Sequence, residues 1–487
     1  MKPPPALVRG LAAMALACWL AACSTAGGPP AVVRAPGTVA VWASSADAAR
    51  RLERQADLAL TAAGPAQPAE VTVDPARPEQ EIVGYGAAMT DASAHLLQTR
   101  LTPAGRDALI GELFGPGGLG LNFLRVPIGA SDFSMEHYSL DDTAAGSIDP
   151  DLTRFSMARP QQEQIPALLA ARKVNSGLVL MASPWSAPGW MKDSGSLIKG
   201  RLLPQYYDAF ARYFARYLDA MDGAGLPVRY ISVQNEPAFE PADYPGMRFA
   251  AADRARFVAG HLGPALAARR KPVGILEWDH NWDKPEEPLA VLADPQARAY
   301  VSGVAWHCYA GNPAVMDQVH RAWPDKEVFF SECSGGNWAP DWGGSLGWMT
   351  DNLIIAPTRA GSKGTILWNL ALDENHGPHR GGCGDCRGVV TIDSRTGAVT
   401  RNVEYYVLGH ASRFVRPGAR RIASEGGPSG LTHTAFRNPD GSLVLLAHNA
   451  STAALRLDVR SSGRAFSLTM PAGEVMTVVW ADGTTAP

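Results

Sequence analysis

Eight short runs of almost unbroken apolar sequence, separated by stretches of helical character, constrain this chain more than any other feature. They are Ile82–Gly86, Phe123–Pro127, Leu178–Ser183, Tyr230–Asn235, Pro272–Glu277, Gly303–His307, Val328–Glu332 and Thr365–Trp368. A strand with one wet face alternates apolar and polar residues, whereas a strand covered on both faces does not. Eight covered strands alternating with helices predict an α/β fold, a (β/α)8 TIM barrel. The helical pattern is clearest between the third and fourth runs, where Tyr206, Phe210, Tyr213, Phe214, Tyr217, Leu218 and Met221 line one face. Pro204 suits its first turn, and Asp208 and Arg212 are spaced to pair on the other face. A doubly wound sheet is the competing arrangement, but no GxGxxG opens a helix and no phosphate-type loop is present.

On either side of the barrel pattern the sequence reads differently. After residue 405, Arg421–Ala423, Leu431–Ala435, Leu443–His448, Ala454–Val459, Ala465–Thr469 and Val475–Trp480 are short β-type runs separated by Gly, Pro, Asn and Asp. They predict an appended antiparallel β-sandwich over 406–487. Val39–Ala43 and Val71–Val73 precede the barrel, and residues 39–81 are expected to add their strands to that sandwich. The catalytic barrel then spans 82–405.

The first residues read as an address. Lys2 and Arg9 form a basic start, and Leu11 to Leu20 is apolar but far shorter than a bilayer span. Leu20-Ala21-Ala22-Cys23 resembles a bacterial lipobox. Residues 1–22 are therefore expected to be a lipoprotein signal peptide, Cys23 the lipidated residue, and 23–38 a flexible Gly/Pro/Ala tether. An ordinary secretory signal is the plainer alternative. Ser24 rather than Asp after the Cys points to an outer-membrane lipoprotein of a bacterial envelope. Membrane contact is expected only through that lipid. The formal net charge of −3, from 44 Lys+Arg against 47 Asp+Glu, excludes a nucleic-acid-coating chain.

Four cysteines remain after Cys18 and Cys23: Cys308, Cys333, Cys383 and Cys386. An even number in an exported chain suits disulfides. Cys383-Gly-Asp-Cys386 could close locally, and Cys308 with Cys333 if their strands are neighbours. A zinc site near His307 is the alternative, but a lone CxxC is a weak metal signal. No metal and no cofactor is expected.

Chemistry in such a barrel gathers at the C-terminal ends of the strands. There the runs lead to Asp91, Arg125, Asp132, Trp185, Asn235-Glu236, Glu277-Trp278-Asp279, His307 to Tyr309, Glu332 and Trp368-Asn369. Indole faces and hydrogen-bonding rims suit a sugar. Cleaving a glycosidic bond takes two carboxyl groups, one protonated and one ionised. Glu236 and Glu332, ending the fourth and seventh strands, are the candidate catalytic pair. Asn235 is placed to hold a sugar hydroxyl, and Tyr309 to donate to Glu332. Trp278 and Trp282 are candidate platforms for the leaving group, His307 reads as a rim residue, and Asp91 as a helix cap as well as a sugar ligand.

Several of these segments are similar, in order, to glycoside hydrolase family 30, the glucosylceramidase family. They are Gly84-Tyr85-Gly86-Ala87-Ala88-Met89-Thr90-Asp91, Leu124-Arg125-Val126-Pro127, Ala182-Ser183-Pro184-Trp185, Val233-Gln234-Asn235-Glu236-Pro237, Phe330-Ser331-Glu332 and Trp368-Asn369-Leu370. The resemblance implies a barrel fused to a β-sandwich, and hydrolysis of β-linked sugars with retention. It implies Glu236 as acid/base and Glu332 as nucleophile, with Asp91, Trp185, Asn235 and Trp368 lining a glucose subsite that Arg125 supports. The substrate expected is a β-linked glucoside or glucan, with a glucosylceramidase-like activity. An endo-β-1,6-glucanase or a xylan-directed enzyme of the same family is the alternative, because the 184–192 run resembles the microbial β-1,6-glucanases equally well. A non-catalytic surface glycan-binding lipoprotein is the alternative of another class. Cys308 and the Gly377 to Arg387 loop depart from the animal glucosylceramidases.

Overall fold

The computed structural model describes residues 37–482, together with Met1. The signal segment, Cys23 and the tether up to residue 36 lie outside the described residues. Thr38, at the end of the expected tether, already belongs to a strand.

Eight parallel strands form the barrel: Gly84–Ala87, Phe123–Pro127, Val179–Ser183, Val228–Ser232, Gly274–Asn281, Val301–His307, Glu327–Glu332 and Ser362–Leu367, here strands 1 to 8. Sequential strands are neighbours, and strand 8 returns to strand 1. Closure between strands 1 and 2 runs through the Ala88–Arg125 bridge and the Met89 N–H to the Arg125 carbonyl at 2.9 Å. Helices follow every strand, from Asp91–Thr99 after strand 1 to Val403–Ser412 after strand 8. That last helix runs across the 405/406 boundary expected from the sequence.

The barrel interior is packed in layers. Phe123, Met181, Tyr230, Leu276, Phe329 and Ile366 fill the lower layer, with the Phe123, Tyr230 and Phe329 rings in mutual contact. Two positions further along strands 2, 3, 4 and 7 the inward side chain is polar: Arg125, Ser183, Ser232 and Ser331. This switch from apolar plug to polar floor comes from the two-residue period of a strand.

The helix Tyr207–Gly223 follows a 3-10 turn begun by Pro204 and buries Phe210, Tyr213, Phe214, Tyr217, Leu218 and Met221. Asp208 and Arg212 do not pair with each other. Asp208 meets His261 at 2.6 Å, and Arg212 donates to the Pro150 carbonyl. Tertiary partners outcompete a surface i,i+4 pair worth only a few tenths of a kcal/mol.

The second domain takes strands from both sides of the barrel. Thr38–Ser44 pairs antiparallel with Val475–Ala481, and Val71–Glu81 pairs antiparallel with Arg420–Gly426. The strands touching the barrel are buried on both faces. Val39, Val41, Val478 and Trp480 pack into the sandwich core, whereas Ala40, Trp42, Val444 and Val479 join the barrel's own core. His410 of the last barrel helix bonds to Ser44 at 2.8 Å and Thr477 at 2.9 Å, which locks the joint.

Candidate active site

The catalytic candidates sit where strands end irregularly. Strand 4 stops at Ser232, three residues before Asn235 and four before Glu236. Glu236 takes φ +52° and is held by its N–H to the Asp279 carbonyl at 3.0 Å. Strand 5 continues past its expected end at Glu277 through a bulge in which Trp278 (φ +70°) and Asp279 (φ +52°) adopt left-handed backbone. Such conformations cost about 1–3 kcal/mol each for non-glycine residues and persist only where surroundings hold them. Glu277 points outward by ordinary alternation, onto Arg254 at 2.8 Å, and the bulge then turns Asp279 into the barrel.

Asp279 is the hub of the polar floor. Its Oδ2 accepts from Arg125 (2.6 Å), Ser183 (2.9 Å) and Ser232 (2.6 Å), and its Oδ1 from Ser331 (2.6 Å) and His307 (3.1 Å). Burial works against its charge, but Arg125, His307 and Ser232 outweigh it and hold the carboxyl well below the usual range. Arg125 is fully buried. It donates to Glu332, Asn235 (2.7 Å), Asp279 and Ser183, and lies 4.8 Å from the Trp185 ring. Arg125 therefore stands one layer below the cavity and orients the groups above it.

Above this floor lies a cavity of about 630 Å³. Glu236, Glu332, Asn235, Trp185, Trp368 and Tyr309 all line it, as the sequence reading proposed. Trp185 and Trp368 stack at 5.0 Å. Carboxylate oxygens of Glu236 and Glu332, with a ring nitrogen of His307, all lie within 4.8 Å of one another. Tyr309 Oη donates to Glu332 at 3.0 Å. Asn235 spends its Oδ1 on Arg125, so its Nδ2 is the group left for a ligand.

His307 is more than a rim residue. Its Nδ1 is 3.1 Å from Glu236 and 3.8 Å from Glu332, while Nε2 faces Asp279. Burial opposes its protonation, yet Glu332, Asp279 and Glu236 raise it to about 9. Burial raises Glu332, with Glu236 and Asp279 adding to this against His307 and Arg125. Glu236 is also pushed up by burial, but His307, His280 and Arg125 outweigh it and bring it below the usual range. Arg125 and His307 are thus the two cations set among the carboxyls of Asp279, Glu236, Glu332 and Asp132.

Two sequence-predicted ligands are elsewhere. Asp91 sits in the first turn of Asp91–Thr99, where Thr90 is the cap; its carboxylate accepts from Tyr138 at 3.0 Å and borders a separate small cavity. Burial pushes it up to about 6. Asp132, from the loop after strand 2, lines the main cavity instead, and burial beside Glu332 raises its carboxyl well above the usual range. Asn369 is fully buried, accepts from Thr90 at 2.8 Å and does not line the cavity. Trp278 and Trp282 are also buried and offer no platform. The exposed aromatics at the mouth are Phe239 and Trp338, at 45% and 54% exposure, with Tyr309 at 46%. Two disulfides frame the site. Cys308–Cys333 clips the residues following strands 6 and 7, and Cys383–Cys386 lines the cavity wall.

Paired carboxyls at the mouth of a TIM barrel, above an aromatic cradle and an arginine floor, define a glycoside-cleaving enzyme. Comparison with known proteins agrees. The profile of the glycosyl hydrolase family 30 TIM-barrel domain matches residues 82–415, and that of the family's beta sandwich domain matches 418–478. The chain belongs to glycosyl hydrolase family 30. It is 34% identical over 428 residues to the endo-1,6-beta-D-glucanase neg1 of Aspergillus fumigatus, covering 82% of this chain and 85% of that relative. It is 30% identical over 439 residues to the lysosomal acid glucosylceramidase of Mus musculus, covering 84% and 83%. Among solved structures, the endo-beta1,6-glucanase BT3312 superposes with a TM-score of 0.85 at 30% identity, covering 92% of this chain and all of that one.

Proposed function

We propose that this glycosidase hydrolyses β-1,6-linked glucan by double displacement with retention. Glu332 is the nucleophile and Glu236 the acid/base. The observation that carries the mechanism is the carboxylate approach within 4.8 Å. Retaining enzymes hold the pair about 5–5.5 Å apart, whereas inverting ones leave about 6.5–9.5 Å for a water. Arg125 and Tyr309 both donate to Glu332, which favours its carboxylate as positive charge develops on the anomeric carbon. The proton must then sit on Glu236. His307 lies beside it, and its Nδ1, 3.1 Å from the Glu236 carboxylate, is placed to supply that proton. Glu236 protonates the leaving oxygen, Glu332 bonds to the anomeric carbon, and Glu236 then deprotonates the water that releases the sugar.

The substrate reading rests on the similarity to β-1,6-glucanases, together with a mouth that mixes exposed Phe239, Trp338 and Tyr309 with Asn281 and Asp243. Rings beside hydrogen-bonding groups suit a second sugar better than a lipid tail. Glucosylceramide is the second reading, supported by the similarity to the mouse enzyme. Product analysis separates them. Oligosaccharides released from β-1,6-glucan, with β-anomers formed first by NMR, support the first reading. Glucose from glucosylceramide with none from the glucan overturns it.

We also propose an envelope lipoprotein, on the strength of Leu20-Ala21-Ala22-Cys23. Intact mass of the mature protein tests this, since a start other than lipidated Cys23 refutes it.

A further inference from the structure

We propose that the 377–388 loop, closed by the Cys383–Cys386 disulfide, is a preformed wall that selects which sugar ring the pocket accepts. It does so by fixing Asp132 and Tyr244 against the ring. The proposal rests on the glycosidase reading above.

The loop is anchored on both flanks. Arg380 N–H donates to the Asp132 carbonyl at 2.9 Å, and His137 Nε2 donates to the Arg380 carbonyl at 2.9 Å. On the other flank Gly336 and Cys386 pair across a short ladder, and Asn337 N–H donates to the Asp385 carbonyl at 3.0 Å. His376 ties the two together, accepting from Asn337 Nδ2 at 2.8 Å and donating through Nδ1 to the Cys386 carbonyl at 3.0 Å. Between these anchors Gly381 and Gly382 take φ +85° and +70°, and Gly382 lines the cavity. A Cβ on Gly381 would stand 2.3 Å from the Asp243 carbonyl oxygen, and one on Gly382 would stand 2.6 Å from Asp132 Cβ. Only glycine allows this approach.

The disulfide makes the wall apolar as well as closed. Cys386 packs in one cluster with Phe133, Trp185 and Trp368, and Cys383 and Tyr244 pack against it. The sulfurs therefore back the indole cradle, and Gly382 backs Asp132. The loop's hydrogen bonds named above reach neither Glu236 nor Glu332, so the wall is separable from the chemistry. Cross-linking the chain three residues apart removes conformations that a glycine-rich loop would otherwise sample. A site that holds its hydrogen-bonding group immobile rejects an epimer whose hydroxyl has moved, because the buried group is left unpaired. A site whose wall can retreat does not.

The test compares kcat/KM for 4-nitrophenyl β-D-glucoside and its galacto epimer in the wild type, in Cys383→Ser/Cys386→Ser and in Gly382→Ala. The expected result is a glucoside-to-galactoside ratio at least tenfold lower in both variants, the loss carried by KM for the glucoside rather than by kcat. A merely structural disulfide lowers both substrates by one factor and leaves the ratio unchanged, which overturns the proposal. If the double variant does not fold, Gly382→Ala keeps the disulfide and decides alone. Wild-type enzyme that prefers the galactoside overturns the underlying β-glucosyl reading and the wall with it. A full wild-type ratio retained in both variants overturns the wall only.

Discussion

Asp279→Asn should disable the enzyme without emptying the pocket of either catalytic carboxyl. The change keeps the side chain's size but removes its charge and replaces one acceptor oxygen with a donor. Whichever oxygen is lost, at least two of the five donors now face an N–H2: Arg125, Ser183 and Ser232 on one side, or Ser331 and His307 on the other. Arg125 and Asp279 are both fully buried, and breaking such a pair costs about 3–5 kcal/mol because the remaining charge is uncompensated. At about 2.1 cal/mol/K per residue, a folded body of this size converts about 4 kcal/mol into a fall of about 4 °C in Tm. Activity should suffer more. Arg125 and His307 lose the anchor that aims them at Glu332 and Glu236, and kcat should fall by roughly 100-fold or more. The matched control is Glu277→Gln on the same strand, which breaks the buried pair with Arg254 on the outer face. It should lower Tm comparably and leave kcat within about threefold. The assays are thermal melting and steady-state hydrolysis of an aryl β-glucoside. An Asp279→Asn enzyme that melts within 1 °C of wild type and keeps kcat/KM within about threefold would refute the hub role, by the yardsticks used above.

Other outcomes follow from the same geometry. Glu332→Gln should abolish turnover on all glycosides, whereas Glu236→Ala should still cleave an activated aryl glucoside and be accelerated by azide with a β-glycosyl azide as product; no rescue would contradict the acid/base assignment. Trp185→Ala removes the face that stacks on Trp368 and covers Arg125, and should raise KM for the aryl glucoside by about tenfold, read from initial rates. Burial alone pushes His410 down to about 3, so it stays neutral when folded and titrates near 6.5 when unfolded. Its stabilising contribution is complete above pH 6.5 and is lost as the pH falls toward 3, with about 2 kcal/mol gone by pH 5. Melting curves at pH 7 and pH 5 check this, and His410→Gln should show the smaller drop.

What could be read from residues alone was whatever local period carries. Uninterrupted apolar runs mean strands covered on both sides, so the barrel and its eight units were legible, as was the sandwich with its borrowed N-terminal strands. Glu236, Glu332, Asn235, Trp185 and Trp368 were legible because each ends such a run or follows it within two residues. Tyr309 was legible through its place beside strand 7.

The largest miss has a backbone cause. In a regular strand the inward residues follow from period two, but a single left-handed residue resets the count. The bulge at Trp278 and Asp279 left Trp278 buried and carried Asp279 to the centre of the floor, while Trp282 is buried against Phe330. Asp91 and Asp132 both follow strands, and nothing local says which carboxyl turns into the cavity. Thr90 capping the helix took Asp91 aside. Asn369 was drawn down to Thr90 for the same reason.

The sequence by itself thus determined the architecture and the two glutamates that meet at the barrel mouth, because apolar periodicity and strand-end position are properties of neighbouring residues. The tertiary structure alone decided which polar groups gather on Asp279, that His307 meets Glu236, and that Asp132 rather than Asp91 lines the cavity. Those depend on distances of a few ångströms between strands far apart in the chain, and no local pattern encodes them.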